Sequence, residues 1–269
     1  AVNTDADLTE YKQGQADANK SAASTEKPAF ITKTVATFNE PWAMTALPNV
    51  KDKTPKLLVT QKTGELLIVD TATGMKTAVT GIPEVAYGGQ GGLGDIILAP
   101  DFATSNNIYI SYVEAGKDAD SNKFGAKVIK ATLTGLETDA PILKAITPIW
   151  QQFPKLKGQG HYSDRLLFSA DGEYLYISSG ERQEKTPAQD MSMNLGKIIR
   201  LNPDGSVPAD NPFSKDGSDT SIATQFWTIG HRNVLGMTFD DKDRLWAHEM
   251  GPRGGDEFNL IEKGKNYGW

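Results

Sequence analysis

The chain has 269 residues, and its 34 acidic and 28 basic side chains give a formal net charge of −6. This acidic balance argues against a nucleic-acid-binding protein, which needs a basic surface to neutralise phosphates, and against a protein that binds membranes through a polybasic surface. No stretch approaches the roughly 18 consecutive apolar residues of a transmembrane helix. The absence of cysteine excludes disulfides, thiolate metal sites and cysteine nucleophiles.

The first segment of the chain differs from the rest in composition. Residues 1–28 are polar, rich in Ala, Asn, Asp and Ser, and almost without branched or aromatic side chains. Such a segment buries too little apolar surface to offset the entropy of ordering. We therefore predict a flexible tail over 1–28 and a folded domain over 29–269. The start at Ala1 is explained equally by removal of a signal peptide, which would make the protein exported, or by trimming of the sequence.

Short β-type runs separated by turn residues dominate the sequence from residue 31 onward. The predicted strands, in chain order, are 56–61, 65–70, 94–100, 107–114, 126–133, 164–170, 174–180, 196–202, 226–230, 235–240 and 244–249. No long segment has the period of an amphipathic helix, and the best short helical segment lies around 186–193. The pattern predicts an all-β fold.

An internal repeat narrows the fold class. Three segments each contain an apolar strand, an Asp, a polar turn and a strand with aromatic residues; they are 97–112, 166–180 and 237–251. The aspartates Asp101, Asp171 and Asp241 are spaced by 70 residues. This period exceeds the roughly 20–50 residues of most repeat proteins, but it suits a β-propeller with one four-stranded sheet in each blade. A β-sandwich with similar hairpins is the alternative.

Two glycine-rich loops are candidates for a ligand site. The loop 87–95 has five glycines in nine residues, which permit positive φ angles and a close approach of ligand to backbone. No Lys-Ser/Thr pair and no helix follows it, so a phosphate-binding P-loop is not supported. In the loop 158–166, His161 precedes a strand and is a candidate general base, since histidine titrates near neutral pH. The alternatives are an ordinary loop between blades and a surface histidine.

The end of the sequence combines turns with charge. The segment 230–233 reads GHRN, and the segment 251–257 reads GPRGGDE with Arg253, Asp256 and Glu257. Carboxylates and the carbonyls of such turns suit a hard cation such as Ca²⁺. The spacing does not match an EF-hand, and a charged turn between strands is the alternative.

Together, these segments resemble the soluble quinoprotein glucose dehydrogenase and aldose sugar dehydrogenase family, also described as glucose/sorbosone dehydrogenases. The matching stretches follow one another over residues 30–269; they are 88–102, 160–172, 186–190, 196–213, 227–237 and 251–269. The resemblance implies a six-bladed β-propeller that binds pyrroloquinoline quinone (PQQ) and Ca²⁺ near its axis. It further implies oxidation of the anomeric hydroxyl of aldose sugars to lactones, with an electron acceptor that the sequence does not identify.

The resemblance also implies roles for individual residues. His161 corresponds to the base that takes the proton of the C1 hydroxyl while hydride passes to the quinone, and it adjoins the cofactor. Glu181 corresponds to the carboxylate that orients this base. Gln90, Arg232 and Asn233 correspond to PQQ contacts, and Arg232 would also stabilise negative charge on the reduced quinone.

Four further positions correspond to metal ligands. The backbone carbonyls of Gly251 and Pro252 match ligands of the Ca²⁺ beside PQQ, which would act as a Lewis acid. Glu257 and the carbonyl of Tyr267 match a second, structural Ca²⁺ site, whose other ligands would follow later in the chain. Asp164 departs from the family, whose members usually carry glycine there. It would contact the sugar or cap the start of a strand, and we expect the cap.

The length of the chain bears on these expectations. At about 60–70 residues for each blade, residues 29–269 account for about four of the six blades. We therefore expect the domain to be incomplete at its C-terminal end, with the basic residues that clamp the PQQ carboxylates outside this sequence. A longer parent protein, proteolysis and completion by another chain all explain this. The resemblance places the protein in the periplasm or outside the cell, and relatives form dimers, although no feature of this sequence requires a homodimer.

Two other functions compete with sugar oxidation. A Ca²⁺-dependent lactonase would use a similar propeller to hydrolyse its substrate, with carboxylate and amide side chains around a central metal. It would not need Gln90, His161 and Arg232 together. A propeller that binds a sugar or a partner without turnover is the second alternative. A need for PQQ and an electron acceptor distinguishes the first alternative, and PQQ binding by this chain distinguishes the second.

Overall fold

The computed structural model describes residues 30–48, 54–215 and 218–269. The tail predicted over 1–28 lies outside the described residues. The chain divides into two compact units, residues 1–34 and residues 35–269. In the first unit, the described residues 30–34 form no helix or strand, and their side chains are exposed. The second unit contains every strand described below.

Within the described part of 35–269, fifteen strands form four antiparallel sheets. The first sheet contains β1 (Pro41–Leu47), β2 (Lys56–Gln61), β3 (Glu65–Asp70) and β4 (Lys76–Val79). The second contains β5 (Leu93–Leu98), β6 (Asn107–Ala115), β7 (Phe124–Thr134) and β8 (Ile142–Gln151). The third contains β9 (Ser163–Phe168), β10 (Leu175–Ser179), β11 (Lys197–Leu201) and β12 (Phe226–Ile229). The fourth contains β13 (Val234–Phe239), β14 (Leu245–Glu249) and β15 (Glu257–Ile261).

Each sheet is a meander in which consecutive strands are neighbours. The first strands of successive sheets contact one another, β1 with β5, β5 with β9 and β9 with β13. Sheets that pack through their first strands in this way are the blades of a β-propeller. The all-β prediction and the propeller are therefore confirmed, and the described chain contains about four blades, as expected.

The 70-residue repeat corresponds to the spacing of the blades. The strand pairs β5–β6, β9–β10 and β13–β14 are the three segments in which the sequence repeats. Contacts between adjacent blades join equivalent positions: the Arg165 Nε donates to the Leu235 carbonyl, and the Asn233 Oδ1 accepts from the Ser163 amide, each pair 70 residues apart. The 70-residue repeat in the sequence thus corresponds to the spacing of equivalent residues in adjacent blades.

Apolar side chains pack between the faces of adjacent blades. One cluster joins the first and second sheets and includes Leu58, Ile96 and Ile110. A second joins the second and third sheets, and a third joins the third and fourth sheets. Alternate residues of each strand point to opposite faces of the sheet, so a blade whose two faces are both covered buries the side chains on both sides of its strands. This explains why β6 and β10 are buried over most of their length, serines included.

The structure adds elements that the sequence pattern did not predict. They are β1, β4, β8 and β15, together with the four-residue helix α1 (Phe102–Ser105) between β5 and β6. The helical segment expected over 186–193 is only a 3-10 turn at Thr186–Gln189. It ends there because the Asp190 Oδ1 accepts hydrogen bonds from the Ser192 amide and hydroxyl, which close a turn instead. In the described residues, no helix has the length and apolar character needed to cross a membrane.

Candidate active site

A pocket of about 300 Å³ lies where the first strands of the four blades converge. Its volume is at the lower end of the range for small-molecule sites. The lining residues come from all four sheets and their loops: Trp42, Lys62, Gly89, Gln90, Tyr162, Ser163, Asp164, Asn233, Leu235 and Met250. A site of this kind requires the blades to be assembled, since no single sheet supplies more than a few of these residues.

The strand pairing of the third blade brings His161 and Glu181 together. Ser163 at the start of β9 lies opposite Ser179 at the end of β10, so the residues just outside these strands share one edge of the sheet. The His161 Nδ1 is hydrogen-bonded to the Glu181 Oε1. Gly180 permits this approach, since a Cβ there would lie 1.9 Å from the His161 carbonyl oxygen.

The Glu181 carboxylate is held in its ionised form. Burial raises the pKa of Glu181, but hydrogen bonds from His161 and from the Lys185 and Gln183 amides outweigh it and leave the pKa below its usual value. An ionised carboxylate accepts the proton on Nδ1 and so fixes the tautomer of the ring. The His161 Nε2 then carries a lone pair, and no described residue is hydrogen-bonded to it.

The glycine-rich loop of the second blade contacts the segment that carries His161. The Gln90 Oε1 accepts a hydrogen bond of 2.8 Å from the His161 amide, and the Gln90 amide donates to the Gln159 carbonyl. The backbone φ angles of His161, Ser163 and Asp164 are +46°, +65° and +66°. Positive φ angles are costly for residues other than glycine, and such strain clusters at functional sites.

Arg182 is a site residue that the sequence analysis missed. Its buried guanidinium donates to the carbonyls of Gly160 and Phe124 and to the Gln152 Oε1, and it stacks on the Tyr162 ring with 3.7 Å from Cζ to the centroid. These contacts fix the loop on both sides of His161. Most of its partners are backbone carbonyls, so only its position beside Glu181 could have indicated it.

A second His–Glu pair lies in the fourth blade, 70 residues after His161. The His231 Nδ1 bonds the Glu249 Oε1 at 2.8 Å, and its Nε2 bonds the Thr228 Oγ1 at 2.8 Å. Both ring nitrogens are therefore committed to neighbours. The Glu249 Oε2 accepts from the Arg232 and Asn233 amides. This pair holds the backbone of the GHRN segment in place, and the 70-residue spacing of the two histidines could have revealed it.

Arg232 and Asn233 belong to the GHRN segment of the fourth blade. The Asn233 Oδ1 accepts hydrogen bonds from the Ser163 amide and hydroxyl, which leaves its Nδ2 without a partner among the described residues. The Arg232 Nη1 donates to the Met250 carbonyl, whereas its buried Nε has no hydrogen-bond partner in the described chain. Asn233 and Gln90 line the pocket, whereas Arg232 does not and lies over the Trp269 ring.

The positions expected to bind metal fall into two groups. Gly251 and Pro252 follow Met250, which lines the pocket, and form a turn in which the Asp256 Oδ1 accepts from the Gly251 amide. Carbonyl oxygens of such a turn are the ligand type that Ca²⁺ prefers.

The second group comprises Glu257 and the carbonyl of Tyr267. Glu257 begins β15 and accepts from the Asn259 side chain, whereas the Tyr267 ring stacks on His231. Among the described residues, no group of three or more His, Asp or Glu side chains could hold a metal ion. The second Ca²⁺ site remains a prediction.

Comparison with known proteins identifies the family of this site. The family model of Glucose / Sorbosone dehydrogenase matches residues 38–269. The chain belongs to this family.

Relatives and solved structures support this membership. The aldose sugar dehydrogenase YliI of Escherichia coli (strain K12) is 39% identical over 86% of this chain and 59% of its own length. The quinoprotein glucose dehydrogenase B of Acinetobacter calcoaceticus is 32% identical over 79% of this chain and 47% of its own length. The PQQ-bound structure of aldose sugar dehydrogenase from Streptomyces coelicolor is 31% identical, with a TM-score of 0.73 over 89% of this chain and 65% of that one. The chain thus spans less than two thirds of the length of these relatives.

The polar groups of the pocket have the chemistry that a quinone cofactor needs. PQQ is flat and carries acceptor oxygens, so it needs hydrogen-bond donors around its edge. Gln90 and Asn233 each bind backbone through the side-chain oxygen, which leaves their NH₂ groups as donors at the pocket. Arg232, which precedes Asn233, has a buried Nε without a partner among the described residues, but its side chain does not line the pocket. The donor set therefore matches the acceptor-rich edge of such a ligand.

Proposed function

We propose that this chain carries the PQQ- and Ca²⁺-binding centre of an enzyme that oxidises aldose sugars at C1 to lactones. The observation that carries the proposal is the buried His161–Glu181 pair beside a pocket built by four blades. Membership of the glucose/sorbosone dehydrogenase family and the PQQ-bound state of the Streptomyces coelicolor relative support it.

Three side chains and two carbonyls would hold the cofactors. Gln90, Asn233 and Arg232 would donate hydrogen bonds to PQQ, and the carbonyls of Gly251 and Pro252 would bind Ca²⁺. When bound, PQQ supplies the hydride acceptor of the oxidation and Ca²⁺ supplies a Lewis acid.

The proton of the reaction passes to His161. Since Glu181 accepts the Nδ1 proton, the Nε2 atom is the base that takes the proton of the C1 hydroxyl. The Glu181 carboxylate stabilises the imidazolium that results. Arg182 and Gln90 hold the backbone on either side of the ring, so that Nε2 keeps a fixed position.

A titration of the full chain tests the proposal. The protein in Ca²⁺-containing buffer is titrated with PQQ, followed by absorbance, and glucose is then added. We expect saturable binding followed by bleaching of the quinone band. Binding without reduction would contradict the dehydrogenase activity of this chain, and no binding would contradict the cofactor site.

The proposal also covers the location of the enzyme and the molecules with which it reacts. We expect the enzyme in the periplasm or outside the cell, with an aldose as its substrate and a separate molecule as its electron acceptor. Cell fractionation with an antibody to this chain checks the location, and a cytoplasmic pool alone would contradict it. Sedimentation of the purified chain decides between a monomer and a homodimer.

A further inference from the structure

Asp164 occupies an unusual position for an acidic side chain. It is the second residue of β9, lines the central pocket and is only 4% exposed. Its Oδ1 is buried and has no hydrogen-bond partner among the described residues. The expected strand cap is absent, since the Asp164 carboxylate receives no hydrogen bond from the start of the strand. A buried carboxyl oxygen without a partner is costly, and it therefore requires an explanation.

The basic groups near Asp164 are committed to other partners. Arg165 donates to the Leu235 carbonyl and to the Asp95 Oδ1, and stacks on Trp42. Arg182 is occupied by backbone carbonyls and the Tyr162 ring, as described above. Lys62, which lines the pocket from the turn after β2, donates to the Gly89 carbonyl and pairs with Glu40. None of them forms an ion pair with Asp164 in the described chain.

A second acidic side chain, Asp95 on β5, lies near Asp164. Its carboxylate accepts from the Ile96 and Leu166 amides and from Arg165, all of which favour its charged form. Asp164 has no such donors. Burial raises the pKa of Asp95 as well, although these donors oppose the rise, so of the two neighbouring acids Asp164 holds a proton more readily. Burial raises the pKa of Asp164 to about 7, with nearby Asp95 adding to the rise and Arg182 opposing it.

We propose that Asp164 is a ligand-binding group of the central pocket, which in its acid form donates a hydrogen bond to an acceptor oxygen of the bound cofactor. This inference rests on the proposed function, since it takes PQQ as the ligand. The acid complements the donors of Gln90 and Asn233 at the same pocket. When Asp164 ionises, it loses the proton that it would donate to the ligand. Its negative charge then also repels the carboxylates of PQQ. Binding of PQQ is thus coupled to a proton on Asp164.

The Asp164→Asn variant isolates this coupling. Asparagine has the same shape, tolerates positive φ and keeps a donor but cannot ionise. The dissociation constant of PQQ is measured in saturating Ca²⁺ between about pH 6 and about pH 8.5. Above about pH 7, we expect the affinity of the wild type for PQQ to fall more steeply than the affinity of the variant. The additional loss is up to about tenfold for each pH unit. Asp139→Asn, which removes an exposed acid, serves as the control and keeps the wild-type profile.

Carboxyl ¹³C NMR of aspartate-labelled protein gives a second readout that needs no turnover. We expect one aspartate signal of the ligand-free protein to titrate near pH 7 and to be absent in Asp164→Asn. Parallel PQQ profiles of wild type and Asp164→Asn, with binding retained, would overturn the role of Asp164 alone. A large downward shift of its titration by Ca²⁺ without PQQ would also overturn it, because Asp164 would then be a cation ligand. No PQQ binding by any of the three proteins would overturn the proposed function and this inference together.

Discussion

Two buried carboxyl groups of the site differ in the hydrogen bonds that they receive. Glu181 accepts from a histidine and two amides, and its pKa lies below the usual value. The Asp164 Oδ1 has no partner among the described residues, and its pKa is raised to about 7. Both side chains are almost inaccessible to solvent, but Asp164 is desolvated more strongly and also lacks the donors that keep Glu181 charged. A charged group suits the support of a base, and a neutral acid suits donation to a ligand.

Replacement of Glu181 by Gln removes the charge that supports His161. We expect the rate of quinone reduction by glucose to fall about 10²- to 10⁴-fold, because the imidazolium loses its counter-charge and the ring its fixed tautomer. PQQ affinity should stay within about twofold, since Glu181 does not line the pocket. Stopped-flow reduction and PQQ titration on the same sample check both numbers. A variant with the wild-type rate would show that Glu181 does not act on the base.

The raised pKa of Asp164 also predicts how stability depends on pH. The group binds a proton more tightly in the folded chain, so it favours folding below the unfolded pKa near 4, and this contribution is lost as pH rises through about 7. At pH about 8, Asp164→Asn should therefore be more stable than wild type by up to about 4 kcal/mol, and by little at pH about 4. Urea unfolding at both values measures this. A difference in unfolding free energy between variant and wild type that is the same at the two pH values would contradict a buried Asp164 that titrates at about pH 7.

At the scale of elements, the same hairpin geometry is used twice. In β9–β10 and in β13–β14, a histidine precedes the first strand and a glutamate lies at the end of the second. The first pair leaves Nε2 of His161 available for a proton. The second pair has both ring nitrogens of His231 bonded and instead holds Arg232 and Asn233. One structural unit thus leaves a ring nitrogen without a partner in one blade and supports the backbone in the next.

Glu249→Gln tests the supporting pair. We expect the free energy of unfolding to fall by about 2–3 kcal/mol, because buried hydrogen bonds to a charged group are lost. PQQ affinity should fall at least tenfold, since Arg232 and Asn233 lose the acceptor of their amides. Glu173→Gln, in an exposed turn, is the control for both measurements. Reduced stability with unchanged PQQ affinity would show that the pair does not position the cofactor contacts.

The elements also show how far the sequence alone could lead. β2 and β3 lie at their predicted bounds, because each is an apolar run closed by turn residues. β4 and β15 were missed, since these short outer strands alternate weakly and expose much of their surface. The proximity of His161 and Glu181 was expected from family resemblance and follows physically from strand register.

Other features of the site could not be predicted from the sequence. Arg182 acts through backbone carbonyls that are distant in sequence, and no composition signal marks such partners. Asp164 was expected to cap the start of a strand rather than to contact the sugar, but its side chain is buried. Its burial depends on three blades meeting around it, which a single-strand pattern does not contain.

At the scale of the whole molecule, the blades are held together by apolar faces and by contacts between equivalent positions. Leucine and isoleucine side chains of the inner strands fill the space between adjacent sheets. The pocket depends on this packing because its lining comes from all four blades. Loosening one interface should therefore affect both stability and ligand binding.

Ile177→Ala tests this dependence. Ile177 on β10 is fully buried between the second and third sheets, so its truncation should cost about 2–5 kcal/mol of unfolding free energy. Ile146→Ala removes a partly exposed side chain of β8 and should cost less than about 1 kcal/mol. Chemical denaturation of both variants compares them. Equal effects would contradict a core between the two blades at Ile177.

The most direct test of the account is the reaction of His161→Ala. This variant and the wild-type chain are loaded with PQQ and Ca²⁺, their PQQ affinities are measured, and glucose is then added in a stopped-flow instrument. We expect similar affinities and a reduction rate about 10²- to 10⁴-fold lower in the variant, because the base acts only in the transition state. Reduction of the bound quinone at the wild-type rate would contradict the assignment of His161 as the base and with it the proposed site.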